Sequence, residues 1–176
     1  MIRPLGLFLA LALAGCSSSS STAPSIRSAP VEQEHGHSHE RDKMMLADAG
    51  PIHAALTAHL AKDGNELDIF LETADRDPKP YALALASLVA KVKRAGDATE
   101  QTLTFEPAPA DERPKGEPEG KCSHFVAKAG WMKRDDVLAI ACEIEIDGKK
   151  HAVVWTDFVP GKYAHHDDAA REPPAP

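Results

Sequence analysis

Aromatic residues make up only 5% of this 176-residue chain, and its lysines and arginines form no basic patch. With a formal net charge of −7, that scarcity argues against nucleic acid as a partner. Long apolar runs are missing as well. The one near the start, Leu5 to Ala14, falls short of the ~20 residues that a membrane-spanning helix needs. Sequence marks of catalysis are absent: there is no GxSxG, Walker A, Rossmann fingerprint or recognisable pair of acids. No HExxH or paired CxxC marks a zinc site. The chain therefore reads as a non-enzyme, and an envelope hydrolase has no motif behind it.

What the sequence does contain begins at its first residues. Arg3 precedes the apolar run, and small residues lead to Cys16, the layout of a secretory leader. Leu13-Ala14-Gly15-Cys16 resembles the lipobox of bacterial lipoproteins. That resemblance implies cleavage before Cys16, a diacylglycerol on its thiol, and a further acyl chain. One chain alone anchors only marginally. Ser17, rather than aspartate, implies the outer membrane, with the protein facing the periplasm. The alternative is a plain secretory signal with a chance cysteine. Residues 1–15 are accordingly set aside as a signal peptide, which changes the net charge to −8 because Arg3 is the only charge removed.

The remainder divides by composition. Residues 16–50 are rich in Ser, Pro, Ala, His and Glu, bury too little apolar surface to offset ordering entropy, and are expected to form a disordered tether. Residues 51–160 hold nearly all the large apolar side chains and are expected to be the single folded domain. Residues 161–176 return to a polar His/Asp/Pro tail. Inside the domain the dominant period is two. Leu67, Ile69 and Leu71 share one side, as do Leu103 and Phe105. Leu138, Ile140, Cys142, Ile144 and Ile146 alternate with Glu143, Glu145 and Asp147. Asp147-Gly148 is a tight hairpin signal. The stretch from Tyr81 to Lys93 admits a helix but is read as two short strands, residues 106–121 as a long charged loop, and Trp131–Val137 as one helical turn. About seven short strands with intervening turns predict an all-β Greek-key sandwich.

The succession "HAALTAHLAKDGNELDIFLETADRDPKPYA", "LTFEPAP", "GKCSHFVA" and "IEIDGKKHAVVW", flanked by His-rich ends, resembles a group of small bacterial secreted or lipid-anchored domains. Similar domains stand ahead of the membrane-fusion adaptors of heavy-metal efflux pumps. The likeness covers roughly residues 50–158 and rests on pattern and turn placement. It implies an immunoglobulin-like sandwich and an association with transition metals. Where the group usually carries serine in the "GKCSHF" segment, this chain has Cys122.

Two cysteines remain once Cys16 is lipidated. Outside the cytoplasm Cys122 and Cys142 are expected to pair as a disulfide if their strands are neighbours. Two buried, inert thiols are the alternative. Cys122 with His124 as a nucleophilic pair lacks a visible third group to orient the imidazole.

The histidines carry the chemical question. "EHGHSHE" sets His35, His37 and His39 at alternate positions, with Gly36 and Ser38 letting three rings converge and Glu34 or Glu40 available as a carboxylate. His165-His166-Asp167-Asp168 repeats the same ligand types beyond the other end of the domain. Neutral imidazole suits Zn, Cu and Ni. The functional expectation is a lipid-anchored envelope protein that binds Zn²⁺, Cu²⁺ or Ni²⁺ through these tails, in metal homeostasis or efflux. The alternative is an interaction or structural lipoprotein whose histidines are incidental. His53, His59, His124 and His151 read as ordinary surface or strand-edge residues.

Overall fold

The computed structural model describes residues 41–62 and 64–165. They form nine strands and one 3-10 turn: Arg41–Lys43, then β1 (Met45–Ala49), β2 (Ile52–Ala61), β3 (Gly64–Thr73), β4 (Leu88–Arg94), β5 (Gln101–Pro107), β6 (His124–Lys128), β7 (Leu138–Ile146), β8 (Lys149–Phe158) and β9 (Ala164–His165). Among the described residues there is no α-helix, so the expected all-β class is what the chain adopts.

The alternation that defines each strand also decides which face it buries. In β7 the residues Leu138, Ile140, Cys142, Ile144 and Ile146 are buried, with more accessible residues between them. Leu67, Ile69 and Leu71 of β3 and Leu103 and Phe105 of β5 likewise turn inward. Trp155, Phe105, Phe125 and Phe158 are the largest fully buried side chains. Each such residue contributes on the order of 1.5–3 kcal/mol by leaving water.

The ladder is continuous, in the order β1-β2-β3-β6-β5-β4-β7-β8, and every pairing along that path is antiparallel. β5 joins the two halves. Its residues Gln101–Phe105 pair with β4, whereas Glu106 and Pro107 pair with Val126 and Phe125 of β6. Proline has no N–H to extend a ladder, and Pro107 is where this strand ends. At the far ends, the Trp155 indole N–H of β8 donates to the Met45 carbonyl of β1 at 2.9 Å, drawing the edges together. The result is one eight-stranded sheet that nearly closes like a barrel, which differs from the expected seven-stranded immunoglobulin-like sandwich.

The extra strand accounts for much of the difference. β1 lies within the segment assigned to the tether, so the folded part starts before residue 51. It pairs with β2 from Met45↔Leu56 to Ala49↔Ile52. Its small residues gave no apolar signal, because only Ala49 is fully buried while Leu46 is exposed. At the other end, β9 falls in the assigned tail and pairs in parallel with β2. Between Tyr81 and Lys93 the second expected strand is β4. The first is reduced to isolated bridges, Glu72↔Pro80 and Leu83↔Cys122. Trp131–Val137 makes turns in place of a helical turn, with the Asp136 carboxylate accepting from the Lys133 N–H at 2.8 Å.

Candidate functional site

The outer face of β2, β3 and β6 gathers the polar residues that a strand sheet would ordinarily leave to water. Along β2 this face carries His53, Ala55, Thr57 and His59, and the register sets them opposite Glu72, Phe70, Asp68 and Glu66 of β3. β6 adds His124 opposite Phe70 and Lys128 opposite Glu66. Lys128 pairs with the Glu66 carboxylate, and Arg41 grips Glu72 with two nitrogens, the closer at 2.8 Å.

His124 is the centre of this face and is 4% exposed. Its ring stacks on Phe70 with centroids 4.1 Å apart. Nε2 faces Asp68 Oδ1 at 2.9 Å and Nδ1 faces the Glu112 carbonyl at 3.3 Å. Both ring nitrogens therefore face oxygen atoms of the protein. The imidazole ties the loop before β6 to the sheet. Beside it, Ser123 donates its hydroxyl and its backbone N–H to Glu117, fastening the same loop a second time. Arg113 adds an internal bond to the Ala108 carbonyl at 2.5 Å. The charged, proline-studded loop that the sequence marks is thus strapped to the barrel by His124 and Glu117.

This is the main feature that sequence reasoning missed. His124 read as a surface residue because a polar residue on an alternating strand usually faces water. Asp68, the group that orients it, lies 56 positions earlier, and only the β3–β6 register brings the two together.

The cysteines also differ from expectation. Cys122 and Cys142 are both free and buried. β6 has β3 and β5 as neighbours, while β7 has β4 and β8, so the strands that would carry a bridge do not adjoin. Cys122 stands just before a bend at Ser123, pairs with Leu83 and donates its thiol to the His124 carbonyl. The bend breaks the alternation that would have put Cys122 and the His124 ring on one face. On β7, burial pushes the Cys142 thiol up to about 12, which keeps it protonated and unreactive.

His35, His37, His39, His166 and Cys16 lie outside the described residues. His165 is described by its backbone alone, which stands opposite His59 in the parallel β2–β9 register. His53 Nε2 is 3.4 Å from Asp48 Oδ1. His151, on β8, lies over Gly50 in the turn between β1 and β2. Among the described residues no three metal-ligating side chains converge. Two shallow hollows, of ≈ 360 and ≈ 350 Å³, are lined by the Pro114–Pro118 loop with Tyr81, and by Arg94 with Val137 and Asp157. Neither includes a histidine. Searches against protein-family models, curated proteins and solved structures find no match to this chain.

Proposed function

We propose that this is a lipid-anchored cell-envelope protein that binds transition-metal ions through its two histidine clusters, with the barrel as the scaffold between them. The observation that supports this most directly is the β2–β9 pairing. It brings the backbone of His165 level with His59, and the same position of β2 is level with Glu66. A two-residue parallel strand is a slender element, but it carries the start of the second histidine cluster to a histidine of the folded domain. His165, His166 and His59 would then form one ligand group and His35, His37 and His39 another, for Zn²⁺, Cu²⁺ or Ni²⁺. Metal homeostasis or efflux in the envelope is the setting that the tails and the Cys16 lipobox support together.

Titration calorimetry on the full chain tests this. Copper should bind more tightly than nickel or zinc. Affinity should fall steeply from about pH 7.5 to 5.5, because protons compete for imidazole nitrogen. Alanine at His35, His37 and His39 should remove most of the binding, and alanine at His59, His165 and His166 most of the remainder, with the melt unchanged by the first set. Binding that survives both sets refutes the metal reading. Recovery of a Cys16→Ala chain in the membrane pellet at wild-type mass would refute the anchor.

A further inference from the structure

From the outer face of the other half of the barrel, we infer a self-association surface that takes a second copy of this chain. The face is formed by β5, β4, β7 and β8 in that order. Sheet faces left to water usually carry long polar side chains, yet Val89 of β4 and Val154 of β8 are 52% and 53% exposed. Around them stand the short side chains of Ala141, Ala152 and two threonines, with Lys91 and Glu143 set among them.

The registers place these residues in rows. One row across the four strands reads Thr102, Lys91, Ala141, Val154. In the next, Thr104 pairs with Val89 and Glu143 with Ala152. The β4–β7 register, continued by one residue past Ala90↔Cys142, sets Val89 level with Glu143. The charges are segregated along the strands. Lys91 and Lys93 occupy one end of the face, Glu143 and Glu145 the other, where Lys150 stands opposite Glu145.

That segregation selects the occupant. A second copy, turned by a twofold axis running across the strands between these two rows, lays Lys91 over the partner's Val89 and beside the partner's Glu143. Lys93 approaches the partner's Glu145, and Val154 of each copy covers Ala152 of the other. The surface is therefore self-complementary in both shape and charge, as a twofold interface must be. Within one copy these groups also meet neighbours: Lys91 Nζ donates to Thr102 Oγ1 at 2.8 Å, and Lys150 Nζ lies 3.8 Å from Glu143 Oε2. Four strands and about five residues of each span roughly 20 by 17 Å, about 340 Å² per copy and below the range of stable interfaces, so the association should be weak and reversible. This inference is independent of the metal reading and needs no histidine.

Sedimentation velocity of the full-length chain over a rising concentration series tests it. The wild type should pass from monomer to dimer. Val89→Lys with Val154→Asp, which set like charges against the partner's Lys91 and Glu143, should weaken dimerisation at least tenfold. Lys91→Glu alone should also weaken it, and adding Glu143→Lys should restore it, a recovery that no general loss of stability would give. Should Val154→Asp melt early, Val154→Thr keeps the β-branched shape and should still weaken the dimer. A wild type that stays monomeric up to about 1 mM overturns the inference. So does a dimer indifferent to the valine changes, or a charge reversal that is not rescued by its partner.

Discussion

Cys142 shows how one buried atom can be read for both chemistry and stability. Its position on the apolar side of β7 is plain from the alternation Leu138, Ile140, Cys142, Ile144, and the structure leaves it 7% exposed. Burial disfavours the thiolate, so its pKa is raised from the ordinary 9.0 to about 12. The folded protein thus holds this proton over a pH range in which the unfolded chain has released it. The associated stability is fully present below pH 9 and is lost as pH rises from 9 towards 12, on the order of 1 kcal/mol per pH unit. Urea unfolding of the wild type and of Cys142→Ala, at about pH 8 and 10.5, should show a steeper decline in the wild type. Lysine and tyrosine ionisation is common to both proteins and drops out of the comparison. Equal declines would mean that the thiol is already ionised or the site open to water. His124 carries the opposite lesson for sequence reading. Nothing local distinguishes it from an exposed strand residue, because its burial and its partner Asp68 are set by the order of strands.

At the scale of elements, turn chemistry made the β7–β8 hairpin legible and left β1–β2 unseen. Asp147 and Gly148 both have positive φ, 51° and 75°, and Ile146 pairs with Lys149 across them. That is the two-residue hairpin whose central residues Asp-Gly announce. Gly50-Pro51 joins β1 to β2 just as tightly, with Ala49 opposite Ile52 and Gly50 at φ 69°. A positive φ at the first central position, followed by proline with its fixed negative φ, is the pattern of a II′ turn. The strand before it was hidden because alanine and aspartate give little strand signal. Gly50 has a second constraint. A Cβ built there would stand 2.2 Å from the His151 ring, so the glycine admits the imidazole that lies across the turn. Gly50→Ala should cost on the order of 2 kcal/mol, from positive φ together with the clash. Adding His151→Ala should recover the steric part and leave the backbone part. Thermal melts of the two single variants and the double form the cycle. Strict additivity would place the His151 ring away from the turn.

For the whole molecule, the decisive fact is that β1 and β8 end the sheet from opposite sides and meet. Composition placed the folded region at residues 51–160 because that is where the large apolar residues are. Backbone pairing, which composition does not report, adds β1 and β9. Without residues 41–50, the β2 edge from Ile52 to Leu56 loses its partner, and Trp155 loses the Met45 carbonyl as its hydrogen-bond acceptor. Without residues 161–165, the Ala58 N–H and the Thr57 hydroxyl lose the Tyr163 carbonyl, which both use. An open, unpaired edge is also a template for aggregation. A chain of residues 41–165 should therefore show β-type circular dichroism and a single cooperative melt. One of residues 51–160 should melt lower by roughly 10 °C, as a loss of about 3 kcal/mol implies for a domain of this size, and should precipitate on heating. Equal melting of the two would show that the seam between β1 and β8 contributes nothing. The fold would then be an open sheet rather than a nearly closed barrel. The lower melt of the shorter chain would instead locate the closing contribution in residues too small to announce themselves by hydrophobicity.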